Sequence, residues 1–176
     1  MKPRVQLRDV EAGDLPLFFE HQRDPVAAAM VAFNSREREA FDQHWAKLLA
    51  DEKNLARTIL VGDEVAGHIG SWTSDGKREI GYWIDRALWG RGIATEALSA
   101  FLRLEQTRPL HAGVARHNAA SLRVLQKCGF TPVHSEDEQA NDGDASHVLL
   151  VLMRSPPGGR PHEPLTQALL IGTKLE

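Results

Sequence analysis

The chain has 176 residues, 42% of them hydrophobic and 26% charged, which is typical of one globular domain with a real core. Its formal net charge of −3, without any run of five basic residues, gives no reason to expect nucleic-acid binding. The chain lacks a signal-peptide pattern, a stretch of roughly 18 apolar residues, and a second cysteine to pair with Cys128. We therefore expect a cytoplasmic protein with no nucleic-acid or membrane partner.

The apolar periodicity predicts strands and helices in a definite order along the chain. A strand around Val5 precedes a helix with Asp14 as its expected N-cap, which the pair Asp24-Pro25 interrupts, and a second helix starts after Ser35. Three strands, a helix, a strand, a helix and two strands follow, at residues 58–61, 65–72, 78–85, 93–102, 110–115, 118–127, 130–134 and 147–153. This order predicts a mixed sheet with helices packed on it, in a single α/β domain.

Proline and glycine mark the end of this domain. The run Pro156-Pro157-Gly158-Gly159 cannot continue a strand or a helix, so we predict a domain at 1–155 and a linker with a short tail at 156–176. The last part of that tail, 165–176, is partly apolar and too short to fold alone. It either docks on the domain or on a partner, or is not a native part of the protein, and composition does not separate these alternatives.

The segment 89–94, Trp-Gly-Arg-Gly-Ile-Ala, lies between a predicted strand and a predicted helix. Free N–H groups at a helix start attract phosphate, and glycines let it approach the backbone closely. Taken alone, the segment is either a phosphate-binding turn or a tight connection. A Rossmann turn would require a small residue where Thr95 stands and an acidic residue about 20 positions further on, which residues 114–116 lack. No P-loop motif occurs either.

Two segments resemble the GCN5-related N-acetyltransferase (GNAT) superfamily, in particular its RimJ/RimL-like branch. Residues 80–98 resemble the Q/R-x-x-G-x-G/A pyrophosphate motif, with Trp89 in the place of the usual Gln or Arg. Residues 118–130 resemble the branch signature N-x-x-S-x-x-x-x-x-K-x-G-F. The resemblance implies a mixed, mostly antiparallel twisted sheet flanked by helices. It also implies acetyl-CoA as co-substrate and a primary amine as acceptor, either a protein N-terminal α-amine or a small molecule, and it is compatible with a homodimer.

The same resemblance assigns the cofactor-binding residues. The turn amides would hold the pyrophosphate, and the main chain of the preceding strand would pair with the pantetheine arm. These residues are Gly90, Arg91, Gly92, Ile93, Ala94 and Thr95 for the turn, and Trp83, Ile84 and Asp85 for the strand. Asn118 either contacts the pantetheine arm or acts only as the N-cap of its helix.

Direct attack by a neutral amine on a thioester requires no protein nucleophile, so we interpret Cys128 as core packing. Many GNAT enzymes take their acid from a tyrosine seven residues after the Asn, where this chain has Leu125. The RimJ/RimL resemblance implies Ser121 instead, and the alternative is a helix-start serine bonded to the backbone. Tyr82, on the preceding strand, is interpreted as packing.

The candidate base is Glu79, at the start of the strand that leads to the turn, and the alternative is a solvated strand-end charge. His68 and His44 are further candidates. The histidines show no metal-ligand spacing, so we expect no metal. Tryptophans at 45, 72 and 83 either line an acceptor pocket or belong to the core. The acidic loop 135–146 is a surface loop that could also attract a cationic amine.

Two alternatives belong to other classes. A GNAT fold that keeps the cofactor turn but lacks acid–base groups would be an acyl-CoA-binding regulatory module, and Leu125 keeps this alternative open. A nucleotide-binding module would respond to NAD or ATP rather than to acetyl-CoA.

Overall fold

Seven strands form one sheet in the computed structural model, which describes residues 4–31, 35–133 and 147–154. They are β1 (Val5–Arg8), β2 (Leu55–Val61), β3 (Glu64–Ser74), β4 (Lys77–Ile84), β5 (Leu110–Ala115), β6 (Thr131–Pro132) and β7 (His147–Leu152). Their order across the sheet is β1-β2-β3-β4-β5-β7-β6, and only the pair β4–β5 is parallel. The expected mixed, mostly antiparallel sheet is therefore confirmed.

Five α-helices accompany the strands within the described residues. They are α1 (Leu15–Arg23), α2 (Pro25–Met30), α3 (Arg38–Ala50), α4 (Ile93–Phe101) and α5 (Ala119–Lys127). The sequence interpretation missed α2. Asp24 ends α1 and caps α2, because its carboxylate accepts the N–H groups of Val26 and Ala27, and Pro25 is tolerated in a first helical turn. No described helix is long and apolar enough to cross a membrane.

Helices cover both faces of the sheet, as the neighbours Ile69 and His68 on β3 show. Successive strand residues point to opposite faces. Ile69 packs into the main core with α4 and α5. The ring of His68 instead lies 4.7 Å from that of Phe18 on α1 and 4.9 Å from that of Trp45 on α3. The sheet therefore separates a large core from a smaller aromatic cluster.

Asp14 occupies the N-cap position of α1, as expected, but its side chain makes no capping hydrogen bond to that helix. Arg8 donates to both of its oxygens, at 2.6 and 2.7 Å, and the hydroxyl of Thr58 donates at 2.6 Å. The amide of Glu11 adds a bond of 2.9 Å. Burial alone would raise the pKa of Asp14, but these hydrogen bonds hold it at about 2. The carboxylate thus joins β1 to β2.

We expect the free energy of unfolding to fall by about 2 kcal/mol as the pH drops from about 4 to below 2. The sign follows from the lowered pKa: the unfolded state takes up this proton near the ordinary value of 3.8, and the folded state only near 2. Denaturant titrations at stepped pH would measure the loss, and Asp14→Asn should abolish it. Asp42→Asn is the control, because Asp42 pairs with Arg38 only at the exposed surface. If the free energy of unfolding fell equally with acid in Asp14→Asn and in the parent protein, this assignment would be contradicted.

The predicted boundary near residue 156, the tail 165–176 and the acidic loop 135–146 lie outside the described residues.

Candidate active site

The two parallel strands at the centre of the sheet separate after two residue pairs. β4 pairs with β5 only through Arg78 with Leu110 and Glu79 with His111, although β4 continues to Ile84. Beyond this point the β5-facing edge of β4 has no strand beside it in the described part of the chain. An unpaired strand edge presents N–H and C=O groups that an extended ligand can use.

The alternation of hydrogen bonds along β4 decides which residues face this gap. The amide of Asp85 donates to the carbonyl of Ala66 at 2.8 Å, so Asp85 is directed to β3. In an antiparallel pair the direction alternates, which places the main chain of Trp83 toward β3 as well. Tyr82 and Ile84 therefore face the gap. Of the three residues expected to pair with a pantetheine arm, Ile84 directs its main chain to the gap, and Trp83 and Asp85 direct theirs to β3. The pairing of Trp83, Ile84 and Asp85 with the arm stays a prediction.

The turn that follows β4 depends on two glycines. Gly90 and Gly92 have φ angles of +76° and +78°, a left-handed conformation that residues with a Cβ rarely adopt. A Cβ at either position would meet nothing within 4 Å, so both glycines border open space. Gly92 is the N-cap of α4, and the amides of the first helical turn have no partner within the helix. These amides and Gly92 form a concave, electropositive surface.

Trp89, which stands in the place of the Gln or Arg of the pyrophosphate motif, links this turn to β4. Its indole N–H donates to the carbonyl of Ile84 at 3.0 Å. The carboxylate of Asp85 accepts the amide of Ala87 at 3.1 Å, and Arg91 donates to the carbonyl of Ala87 at 3.3 Å. The side chains of Trp89, Asp85 and Arg91 therefore stabilise the turn. They leave the amides of Gly92 and of the first turn of α4 available to a ligand.

Two cavities meet beside this turn. The turn cavity, of about 340 Å³, lies between the end of β4, the start of α4, α5 and α2. The aromatic cavity, of about 720 Å³, lies between the β3–β4 surface, α3 and the start of α5. The residues that line both cavities are Val31, Tyr82, Trp83, Asn118 and Ser121. The two cavities are therefore adjacent at these side chains.

Three polar side chains are joined at this junction. Asn118 is the N-cap of α5, and its Oδ1 accepts the amide of Ser121 at 3.0 Å. The hydroxyls of Ser121 and Tyr82 form a hydrogen bond of 2.8 Å. Burial raises the pKa of Tyr82 to about 12, against the opposing effect of Ser121. The interpretation of Tyr82 as packing was incomplete, since its ring packs on the core and its hydroxyl bonds Ser121.

Aromatic rings form much of the wall of the larger cavity. Trp45, Trp72 and Trp83 all line it, and Trp45 is also a core residue, 4% exposed in the aromatic cluster. That this cavity takes the acceptor stays a prediction. His68 and Trp83 lie directly opposite each other on β3 and β4. His68 Nδ1 and Trp83 Nε1 are buried without a hydrogen-bond partner among the described residues.

The structure does not bring the candidate base to the junction. Glu79 is half-buried and lines neither cavity. It lies four residues before Trp83 on the same face of β4, about 13 Å away along the strand. His44 and His68 do line the aromatic cavity. Burial lowers the pKa of both, to about 3 for His68, so both rings are neutral near pH 7. Glu79 stays a prediction.

The short helix α2 is the part of the site that sequence reasoning missed. Ala27 and Met30 line the turn cavity. The guanidinium of Arg86, beside the turn, binds the carboxylate of Asp24 at 2.8 Å, and the ring of His117, before α5, contacts the carbonyl of Ala29 at 2.8 Å. Both sides of the cavity therefore hold α2 in place. No sequence pattern links positions so far apart.

The site fits acetyl-CoA. The open glycines and free amides suit a pyrophosphate, the unpaired edge of β4 suits a pantetheine arm, and Ser121 lines the turn cavity. Among the described residues, no group of three or more His, Cys, Asp or Glu side chains is placed to hold a metal ion.

Comparison with known families agrees with this geometry. Residues 4–131 match the family described as the acetyltransferase (GNAT) domain. The chain belongs to the GNAT acetyltransferase family.

Individual relatives resemble the chain over different lengths. The Bacillus subtilis (strain 168) protein named "Probable N-acetyltransferase YjcK" is 46% identical over 106 residues, which are 57% of this chain and 55% of that protein. The chain thus matches about half the length of this curated relative.

Solved structures share the fold. An acetyltransferase from Agrobacterium tumefaciens str. C58 gives a TM-score of 0.72 at 21% identity, covering 88% of this chain and 93% of its own. The structure of Mycobacterium smegmatis RimJ in complex with CoA-disulfide gives a TM-score of 0.65 at 22% identity, covering 85% of this chain and 81% of its own. At such identities the likeness is one of fold.

Proposed function

We propose that the chain transfers the acetyl group of acetyl-CoA directly to a primary amine in a ternary complex. The acceptor is a protein N-terminal α-amine or a small-molecule amine. The observation that carries this proposal is the meeting of the two cavities at Tyr82, Trp83, Asn118 and Ser121. A thioester that enters along the turn cavity and an amine that enters through the aromatic cavity would be held within reacting distance there.

The residues around the turn cavity have separate parts in holding acetyl-CoA. The amides of the turn, from Gly90 through Gly92 to Ile93, Ala94 and Thr95, would bind the pyrophosphate. The edge of β4 at Tyr82 and Ile84 would pair with the pantetheine arm, and Asn118, which already caps α5, would contact the same arm. When bound, acetyl-CoA supplies a thioester that a neutral amine can attack.

Direct transfer then requires only an acid for the leaving sulfur and a base for the amine from the chain itself. Ser121 is the proposed acid, since its hydroxyl lies at the junction and can donate to the leaving sulfur. The interpretation of Cys128 as packing is confirmed: it is 6% exposed and belongs to the main core, and burial raises its pKa. It is therefore not needed as a nucleophile. Glu79 remains the base that the family resemblance suggests, and it would have to act through intervening groups.

Within the family, we place the chain in the RimJ/RimL-like branch, with a cytoplasmic location. The signature at 118–130 supports the branch, as does the likeness to the mycobacterial RimJ structure. Trp89, in the place of the usual Gln or Arg, and Ser121, in the signature at 118–130, are also features of this branch. The structure supplies a reason for each: Trp89 anchors the turn, and Ser121 pairs with Tyr82.

The test is an acetyl-CoA consumption screen with mass spectrometry of the products. The panel holds peptides with varied N-terminal residues, polyamines, aminoglycosides and free amino acids. We expect release of CoA together with a singly acetylated amine. Binding of acetyl-CoA without turnover on the whole panel would favour an acyl-CoA-binding regulatory module. A larger rise in Tm with NAD or ATP than with acetyl-CoA would contradict the proposal outright.

A further inference from the structure

Either hydroxyl of the Tyr82–Ser121 pair at the junction can be the donor of their hydrogen bond. We propose that Tyr82 is a positioning residue for acyl transfer, whose hydroxyl donates to Oγ of Ser121 and so leaves the Ser121 proton free for the departing sulfur. The inference rests on the proposed function, since it concerns the acid of the same reaction. It assigns a role to a strand residue that the family motifs do not mark.

The geometry restricts what each hydroxyl can do. The two oxygens are 2.8 Å apart, and a hydroxyl carries only one proton. If Ser121 donated to Tyr82, it would have no proton for a leaving group. If Tyr82 donates to Ser121, the serine proton can rotate into the junction. The phenol is the stronger acid of the two and hence the better donor.

Tyr82 is also placed independently of any ligand. Its ring packs against the main core, and its neighbour in the β3–β4 register is Ile69, which is 1% exposed. On the other side, the bond from the Ser121 amide to Asn118 fixes the start of α5. Both partners are therefore held by the fold before a substrate binds. Such preorganised donors stabilise developing charge most effectively.

The protonation of Tyr82 suits this task. An amine acceptor attacks only in its neutral form, which becomes more abundant as the pH rises toward the amine pKa. A donor in the same site has to keep its proton over that range. Burial raises the pKa of Tyr82 from 10.0 to about 12, so the phenol remains protonated while the amine loses its proton.

The reaction is balanced without a net change in either hydroxyl. The N–C bond forms, the C–S bond breaks with its electron pair going to sulfur, Ser121 gives its proton to that sulfur, and the proton that the nitrogen loses replaces it on Ser121. Ser121 donates a hydrogen bond to the sulfur as this charge develops, and Tyr82 donates to Ser121. Two hydroxyls in a chain polarise each other, so the negative charge is shared more widely than with Ser121 alone.

Tyr82→Phe keeps the ring and removes the donor. We expect kcat to fall about tenfold, the effect of one hydrogen bond, with the dissociation constant of acetyl-CoA unchanged within about twofold. In the double variant with Ser121→Ala, the loss should be no more than about twofold beyond that of Ser121→Ala alone, because Tyr82 acts through Ser121. Losses that multiply, or full kcat in Tyr82→Phe, would overturn the proposal.

A second measurement does not depend on turnover. Tyr82 is the only tyrosine in the chain, so biosynthetic replacement by 3-fluorotyrosine labels this position alone. We expect its single fluorine resonance to shift in Ser121→Ala and to stay in place in Ser74→Ala, a serine at the end of β3 that pairs with Lys77 and lines neither cavity. An unshifted resonance in Ser121→Ala would overturn the pairing even if the enzyme is active. A shifted resonance in a chain that acetylates nothing would instead overturn the proposed function, and the catalytic role of Tyr82 with it.

Discussion

Gly92→Trp is expected to raise the dissociation constant of CoA about 100-fold or more. The site of a Cβ at Gly92 is open, so the indole would extend into the space where the pyrophosphate approaches the amides of α4. Loss of two charge-assisted hydrogen bonds at about 1.5 kcal/mol each corresponds to about 3 kcal/mol, or two powers of ten in affinity. Isothermal titration calorimetry with CoA would measure the change.

A matched variant separates this effect from backbone strain. Gly76, in the hairpin turn between β3 and β4, has a φ of +75° against +78° for Gly92 and is equally open. Gly76→Trp and Gly92→Trp should therefore each lose about 1–2 kcal/mol of stability, because a side chain is strained in this conformation. Only Gly92→Trp should lose CoA. A folded Gly92→Trp with parental affinity would rule out the turn as the pyrophosphate site.

The conformation of the turn after β4 was predictable because it depends only on residues close together in the sequence. A glycine in a left-handed conformation at a helix start, and the free amides that follow it, depend on residues 90–95 alone. The same holds for Asn118, whose predicted N-cap bond to the Ser121 amide is present. Strand and helix periodicity likewise predicted the element order, apart from α2. Periodicity gave no sign of α2 because its six residues span fewer than two helical turns.

The misses concern contacts between positions far apart in the chain. Asp14 has the residue type and place of an N-cap, but Arg8 and Thr58 compete for its carboxylate, and Thr58 is 44 residues away. The bond between Tyr82 and Ser121 spans 39 residues and depends on where β4 lies relative to α5. Which main-chain groups of β4 face the gap depends on the register with β3. None of these is contained in a motif.

The departure at Leu125 acquires a physical meaning in the structure. Leu125 is 1% exposed and packs in the main core, so no hydroxyl reaches the junction from this position of α5. A phenol nevertheless reaches the junction, from Tyr82 on β4. It contacts Ser121, and under the proposed function the two hydroxyls together would supply what a single tyrosine supplies in other members of the family. This arrangement argues against a regulatory module that has lost its acid.

Ser121→Ala is expected to lower kcat about 100-fold, the lower part of the range for a positioned general acid. The dissociation constant of acetyl-CoA should change little, because the hydroxyl of Ser121 bonds Tyr82 rather than the turn. The amide that donates to Asn118 is also retained in alanine. Steady-state kinetics on the best amine from the screen, with calorimetry for acetyl-CoA, would separate the two quantities. A loss confined to KM would indicate a binding role instead.

Ser99→Ala serves as the matched control for this substitution. It removes the same hydroxyl from the neighbouring helix α4, where Ser99 lies 3.6 Å from the sulfur of Cys128 and lines neither cavity. We expect parental kcat in Ser99→Ala. A Ser121→Ala variant as active as Ser99→Ala would return Ser121 to a helix-start role. Tyr82 would then be the remaining hydroxyl at the junction, and the sulfur would have to accept its proton from there or from the amine itself.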